Sequence, residues 1–449
     1  MEIDIVNQIN QLLFERKYEA IRETLQDQHP RQVADLLGVL DQPSKALTFR
    51  LLRKDFAIEV FEYMERHERN SLLESMTHQQ MADLLNEMAP DDRTDLFEEL
   101  PAKVAKHYLS LLSPDERKIA NQLLGYAEDS AGRLTTTEFV DLKEDQTVQA
   151  ALDHIRLTAP NKETIYNCYV ISNSRKLVGV ITLRELILAS LQTRVGDLMH
   201  TSVISVTTDT DQEVVARIMT DFGLSTVPVV DSENRLVGII THDDVLEVIR
   251  EESTEDIHRM GGVTTDVEDY FQQGVMARVG KRLGWLVVLI LLQSFTSSIM
   301  EEYAFALETV VALAFFIPLL MDTGGNVGTQ SATLVIRGLA VGDLENQSIM
   351  QVIGTELLAG LIMGAILAAF SFLRSLFISG QDLMLSITIG LSLGIVVLIA
   401  NLTGILLPFI ARKLKMDPAV MAGPFITTIV DVLGLILYFE IARLLLGIS

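Results

Sequence analysis

Cysteine is almost absent: Cys168 is the only one in 449 residues, which excludes an intrachain disulfide and any cysteine-based zinc site. Its neighbours Tyr169, Val170 and Ile171 mark it as a buried strand thiol. Positive charge is scarce too, with 36 Lys and Arg against 60 Asp and Glu and a net charge of −24. Such a surface repels phosphate backbones, so no nucleic-acid partner is expected. The first residues, MEIDIVNQINQLLFERKY, place an acid second and no basic segment before an apolar core, so no signal peptide is expected. A phosphate-cradling GxxxxGK[ST] word is missing, and the apolar part holds no nucleophile with a base at usable spacing. The chain does not read as an enzyme.

Long apolar runs are missing only from the first part. Before Leu283 nothing approaches 18 apolar residues, and beyond it such runs dominate, so the 49% hydrophobic content averages two solvents. Charge divides the same way: residues 284–449 hold 11 acids and 6 bases, which leaves 49 and 30 upstream and puts −19 of the −24 there. Taken singly, most of those acids read as a solvated face. A length of 449 residues calls for several domains.

Residues 1–130 read as short helices with apolar positions three or four apart, as in Leu36, Leu37, Leu40 and again Leu84, Leu85, Met88. The words RQVADLLGVL and QQMADLLNEM recur, and Pro43, Pro90, Pro101 and Pro114 fall between periodic segments. An all-α superhelical N-terminal domain is expected. Asp91, Asp92 and Asp95 follow Pro90, where carboxylates also serve simply to meet a helix dipole.

Residues 131–252 alternate strands with helices, twice over. KLVGVITLRELI and RLVGIITHDDVL place Gly179 and Gly238 at matching points. This tandem α/β unit resembles a pair of CBS domains, and the resemblance implies an adenosine ribose held at Thr182 with Glu185 and at Thr241 with Asp244. Glu185 departs from the usual Asp, and Thr followed three residues on by an acid is also a helix capping box. The second copy is the more acidic. Asp209, Asp211 and Glu213 open one helix, and Asp243, Asp244 and Glu247 open another, with Asp243 and Glu247 four apart on one face. That helix is expected to run on through Glu252, Glu255 and Asp256 until Gly261 and Gly262 end it. Like charges so placed favour a hard divalent ion such as Mg2+, which keeps its waters and takes one or two carboxylates. Residues 253–282 form this acidic helix and a connector, with Tyr270 and Phe271 on it and Arg278, Lys281 and Arg282 beside the membrane.

Residues 283–449 divide into five spans, about 283–300, 308–336, 349–376, 383–410 and 418–446. Two interruptions matter. In FFIPLLMDTGGNVGTQSATLVIRG, Asp322, Gly324, Gly325, Asn326 and Gly328 break an apolar run, and a helix opened by glycine is tolerable only against protein or a wet cavity. Asp431 sits mid-span, where a lone carboxylate costs at least about 2.5 kcal/mol. Thr427 lies one turn before it, and kinks are expected at Pro318, Pro408 and Pro424. Together these suggest a cation path. Gly360 with Gly364, and Gly390 with Gly394, read as close-packing faces. The basic turn Arg412, Lys413, Lys415 puts the amino terminus inside, while Arg374 and Arg443 do not fit that rule and Glu440 is a partner for Arg443.

The order of parts, with TGGNVGTQSATL and PAVMAGPFITTIVDVLGLILY in the last, resembles the MgtE family of bacterial magnesium channels over essentially the whole length. The resemblance implies a homodimer in the inner membrane lipid bilayer, multi-pass, with the N-terminal domains in the cytoplasm. Its pore would be lined by the second and fifth spans, with Asp431 as the pore carboxylate and Gly324, Gly325, Asn326 and Gly328 as the pore segment. It further implies regulatory Mg2+ at Asp91, Asp95, Asp211, Glu213, Asp244, Glu252, Glu255 and Asp256, the last three on a plug helix, with ATP as a modulator. Glu247 matches a position that takes Asp, and Gly223 stands where an acidic ligand is usual. The expected function is Mg2+ uptake through a channel shut by cytoplasmic Mg2+. A proton- or sodium-coupled divalent cation transporter is the alternative, since broken helices with midplane acids also mark transporters, and a CBS-regulated anion channel is disfavoured by the acidic pore residue.

Overall fold

The computed structural model describes residues 2–263, 274–344, 347–421 and 423–448. The chain forms two compact units, Met1–Val248 and Ile249–Ser449. Residues 264–273 of the expected connector, with Tyr270 and Phe271, lie outside the described residues.

The first unit opens with ten short helices: α1 (Glu2–Phe14), α2 (Tyr18–Gln26), α3 (Pro30–Gly38), α4 (Gln42–Leu51) and α5 (Lys54–Glu62). They continue as α6 (Arg66–Glu74), α7 (His78–Glu87), α8 (Pro90–Glu98), α9 (Ala102–Leu111) and α10 (Pro114–Leu123). Pro43, Pro90 and Pro114 sit in first turns, where a missing amide costs nothing, and Pro101 caps α9. The two recurring words are α3 and α7. Each begins with a capping box, His29 with Gln32 and Thr77 with Gln80. Helices pack on the next but one, α3 on α5, α4 on α6, α7 on α9 and α8 on α10. That is the superhelical stack expected, and one continuous core runs through it from Ile9 to Ala120.

The tandem α/β region repeats one topology. The first copy comprises β1 (Val140–Leu142), α11 (Val148–Thr158), β2 (Asn167–Ile171), β3 (Leu177–Thr182) and α12 (Leu183–Leu188). The second comprises β4 (Val206–Thr207), α13 (Gln212–Phe222), β5 (Thr226–Val230), β6 (Leu236–Thr241) and α14 (His242–Met260). In each sheet the first strand runs parallel to the second and the second antiparallel to the third. Cys168 is buried on β2, and burial pushes its thiol up to about 12. The matched glycines have a steric reason. A Cβ at Gly238 would lie 2.2 Å from the carbonyl oxygen of Thr136, and one at Gly179 would lie 2.5 Å from Met199 Sδ. Residues 136 and 200 bridge to β6 and β3 at just these points, so each sheet accepts an extended neighbour only where the side chain is missing.

The second unit contains the rest of α14, then α15 (Val275–Glu302), α16 (Ala304–Thr309), α17 (Ile317–Ala340), α18 (Ile349–Leu373), α19 (Leu383–Lys413) and α20 (Pro424–Leu446). Among the described residues, four helical segments are long and apolar enough to cross a membrane, Val275–Glu302, Val311–Ala340, Ile349–Phe377 and Leu383–Lys413. By rise alone the 23 residues of α20 cover about 35 Å, enough for the fifth. The first span starts earlier than expected, so Arg278, Lys281 and Arg282 lie on α15 itself. Residues 374–378 close the third span as a π-turn.

Two expectations are corrected here. The glycine-rich stretch does not open a helix: α17 is continuous through Gly324, Gly325 and Gly328. These glycines admit neighbours, since a Cβ would fall 2.9 Å from Val396 and Val430 at Gly324, 3.1 Å from Thr427 at Gly325, and 2.8 Å from Ile426 at Gly328. They read as a break because glycine is also how helices approach closely. Nor do Pro318 and Pro424 kink spans, because each lies in a first turn; only Pro408 is inside a helix. No carbonyl is freed beside Asp431. The expected packing faces hold, with Gly364 against Gly394 and Gly390 against Ala368 and Phe372.

The tightest approach in this bundle is Gly404, where a Cβ would stand 2.3 Å from the Gly328 carbonyl oxygen, whereas Gly354 has open space around it. Gly404→Ala should therefore cost about 1–3 kcal/mol of stability, while Gly354→Ala should be neutral or stabilising. Thermal unfolding of the two variants in detergent compares them directly.

Candidate functional site: a carboxylate cluster and a polar helix face

In the first unit, carboxylates from four segments converge. Asp91 and Asp92 occupy the first turn of α8, Asp243 and Asp244 the first turn of α14, Glu62 ends α5, and Glu163 precedes β2. Asp91 is only 7% exposed, and its Oδ1 has no hydrogen-bond partner among the described residues. Burial holds its carboxyl well above the usual range, and Asp244, Asp92 and Glu163 add to the push. Burial and Asp244 raise Asp92 to about 7 against the pull of Arg69. Asp244 is also raised to about 7, chiefly by burial, although it accepts hydrogen bonds from Thr241. Glu62 goes to about 8 through burial with Asp92 and Glu163 facing it. Asp95 and Glu247 are exposed at the rim, each beside members of the cluster.

Sequence reasoning singled out Asp91, Asp95, Asp243, Asp244 and Glu247 as candidates without bringing the two groups together, and it missed Glu62 and Glu163. Neither stands in an acidic run, and only the packing of the helical stack on the tandem domains brings them in. Among the described residues no three carboxylates, histidines or cysteines are arranged around a single ion. Carboxylates gathered in this way can take a hydrated cation through its waters. A buried carboxylate oxygen without a donor is a fitting partner for such an ion.

Other expected residues take local roles. Asp211 caps α13, its Oδ1 accepting from the Glu213 amide at 2.9 Å, and both side chains are exposed. Gly223 ends that helix in the left-handed region at φ 61°, a place for glycine rather than an acidic ligand. Thr182 and Glu185 form a capping box, with Glu185 also 2.6 Å from His200 Nε2. Thr241 repeats the arrangement, donating from its hydroxyl to Asp244 at 2.5 Å and from its amide at 3.1 Å.

In the second unit the late turns of α14 carry Glu252, Glu255 and Asp256 as one continuous helix, ended by Gly261 and Gly262 as expected. Arg259 pairs with both Glu255 and Asp417. Asp256 is raised by burial and by Asp417 and Glu252, with Arg259 and Arg337 acting against them. Asp417, Arg259 and Arg337 were not singled out in the sequence, because their partners lie up to 158 residues away.

Along α17, the side chains of Asp322, Asn326, Gln330, Thr333 and Arg337 are exposed at spacings of four, four, three and four. They form one polar stripe on an otherwise apolar helix. Asn326 Nδ2 donates to Asp322 Oδ2 at 3.3 Å. The opposite side is pinned: Ser331 Oγ donates to Asn401 Oδ1 at 2.5 Å, and Asn401 Nδ2 donates to the Glu356 carbonyl at 2.6 Å. Gly325 faces Thr427 and Gly434 faces Met321, so α17 and α20 run antiparallel and Asp431 falls level with residues 322–324. Asp431 is half-buried and hydrogen-bonded to Gln293 of α15, a partner the sequence did not suggest. The Thr427 hydroxyl is committed to the Pro424 carbonyl at 2.9 Å. Near the chain's end Arg443 pairs with Glu440 at 3.3 Å, as expected.

Comparison with known proteins adds to this geometry. Residues 317–441 match the family model described as a divalent cation transporter, residues 28–129 the MgtE intracellular N domain, and residues 131–192 and 195–251 the CBS domain. The magnesium transporter MgtE of Thermus thermophilus is 40% identical over 99% of both chains. That of Bacillus subtilis is 33% identical over 98% of this chain and 97% of its own. Among solved structures, the cytosolic domain of the Mg2+ channel MgtE in complex with ATP is 37% identical, with a TM-score of 0.52 over 54% of this chain and 99% of its own. The soluble part of a magnesium transporter is 32% identical, with a TM-score of 0.54 over 56% of this chain and all of its own.

The raised carboxyls of Glu62, Asp92 and Asp244 have a signed consequence. A folded pKa above the unfolded one gives stability that is complete below the unfolded value, near 4, and is lost as pH rises through about 7 to 8. In EDTA the contact between the helical stack and the tandem domains should resist protease better at pH 6 than at pH 8.5. Saturating Mg2+ should remove most of that difference, and limited proteolysis across the pH series checks both.

Proposed function

Because the chain belongs to the MgtE family of magnesium transporters, we propose that it is a Mg2+-selective channel for uptake, shut from the cytoplasmic side when Mg2+ binds its acidic domains. The observation that carries the reading is the polar stripe of α17 beside Asp431 in an apolar bundle. In hydrocarbon such a stripe must face protein or water, and a path between two copies of this chain supplies water. Magnesium gives up its shell reluctantly, so Asp431 would hold the hydrated ion through waters, weakly enough for exit. Asp322 at the same level adds a second negative side chain, and Asn326 a polar one. Gly324, Gly325 and Gly328 contribute by bringing α17 close to α19 and α20, which fixes the stripe.

A channel is favoured over a coupled transporter by the continuity of α17. Transporters that alternate access commonly build their sites on discontinuous helices, and this helix is unbroken and packed on α19 and α20. Gating follows from the cluster around Asp91 and from the plug acids Glu252, Glu255 and Asp256. Without ions these carboxylates repel one another and the compact arrangement loosens; hydrated Mg2+ bridging them favours it. Asp211 and Glu213 would add an ion at the exposed start of α13. Thr182, Glu185, Thr241 and Asp244 would be available to an adenine nucleotide if their caps open, with ATP as modulator. The soluble unit lies in the cytoplasm, and the inner membrane holds a homodimer.

Asp431→Asn preserves shape and removes charge, so it should reduce Mg2+ current at least tenfold while leaving the melting temperature within a few degrees. Planar-bilayer recording of the purified protein in a Mg2+ gradient, with no other ion gradient, is the measurement. Current of normal size in the variant, or none in the unaltered protein, would sink the reading.

A further inference from the structure

The plug acids are not left entirely to metal. The seat at the end of α14 contains four carboxylates, Glu252, Glu255, Asp256 and Asp417, and Arg259 reaches two of them at once. One guanidinium nitrogen meets Glu255 one turn earlier on the same helix, and another meets Asp417 in the segment before α20. Asp417 is itself held, since its Oδ1 accepts from the Ala419 amide at 2.8 Å. The helix end is seated closely. Met260 packs on the bundle core, its carbonyl oxygen would lie 2.6 Å from a Cβ at Gly423, and Gly262, at φ 68°, lies against Trp285.

We propose that Arg259 is a built-in counter-cation that positions the end of α14 on the segment before α20 without any metal. The planar guanidinium can bond two carboxylates in different directions, which an ammonium does less well. This inference rests on the gating reading above and deepens it. By pairing with Glu255 and Asp417, Arg259 lowers by one the net negative charge of the seat that an ion has to offset. Arg259 thereby sets how much Mg2+ is needed for closure, and the plug stays near its seat between closures.

Removing the guanidinium should loosen the seat and raise its net negative charge by one. Arg259→Gln should raise the Mg2+ concentration for half-closure about two- to tenfold, the range expected when partly exposed ion pairs are lost. Arg259→Lys keeps the charge without the fork and should fall between. Flux into proteoliposomes reads this. A second measurement is independent of flux: Cys168 is buried, so spin labels can be placed on Ile257→Cys and Met416→Cys, both exposed in the native chain. In EDTA the parent should give a narrow distance distribution, Arg259→Gln a broader and longer one, and Arg259→Lys an intermediate one. The proposal is overturned if the parent is already broad in EDTA, if Arg259→Gln matches the parent, or if Arg259→Lys matches Arg259→Gln. Absence of Mg2+ flux in the parent would defeat the channel reading alone, because the label distances would still judge the latch.

Discussion

Negative charge gathered faster than positive charge can offset it is the constraint on which the soluble unit depends. Asp91 is the sharpest case: it is buried, has an oxygen without a donor, and faces Asp244, Asp92 and Glu163. A buried polar atom left unpaired costs on the order of 1–3 kcal/mol, more if charged. The rest of the unit has to hold against that, through the apolar core of the helical stack and through buried pairs such as Arg93 with Glu116 and Lys45 with Glu68. Where Arg93 and Lys45 meet acids, each cation lies inside the stack. Where the stack meets the tandem domains, Arg69 acts against Asp92 while Asp244, Glu247 and Asp243 add to its charge, and the balance is negative. On the proposed reading, contact there depends on protons or cations, whereas contact within the stack does not.

The membrane unit solves the converse problem, polar groups in an apolar solvent. Small residues are spent on the back of α17, where Gly324, Gly325 and Gly328 let α19 and α20 approach. The buried Ser331–Asn401 hydrogen bond ties α17 to α19, and Asn401 in turn reaches the α18 backbone. Held at its back by α19 and α20, the helix carries Asp322, Asn326, Gln330 and Thr333 on its exposed face. Rigidity behind and polarity in front are one arrangement. Neither would persist alone.

What could be read in advance followed the range of the interaction responsible. Local periodicity and capping gave the ten short helices, the run of α14 as far as Gly261 and the buried strand at Cys168. The paired LVG words gave the tandem domains, because a close backbone approach needs glycine at one position in each copy. TGGNVG was misjudged as a break for the same reason: glycine frees a backbone and also admits a neighbour, and only the neighbours Val430, Thr427 and Ile426 decide between the two. The prolines before Leu319 and Phe425 likewise start helices rather than bend them. Glu62, Glu163, Arg259, Asp417 and Gln293 were silent in sequence because each acquires its meaning from a partner far along the chain.

On the proposed reading, α14 has to transmit what the cluster senses. It is the element that carries Asp243 and Asp244 at one end and Glu255, Asp256 and Arg259 at the other, 19 residues or about 28 Å of helix. A ligand shifts a two-state equilibrium only by its difference in affinity for the two states, and moving from 1:99 to 99:1 takes roughly a 10⁴-fold preference. One hydrated ion held through its waters cannot supply that. Four ions, each preferring the compact state about tenfold, can, and the response then steepens with their number. A dispersed set of weak sites along one helix, rather than a single tight site, is what such a gate requires.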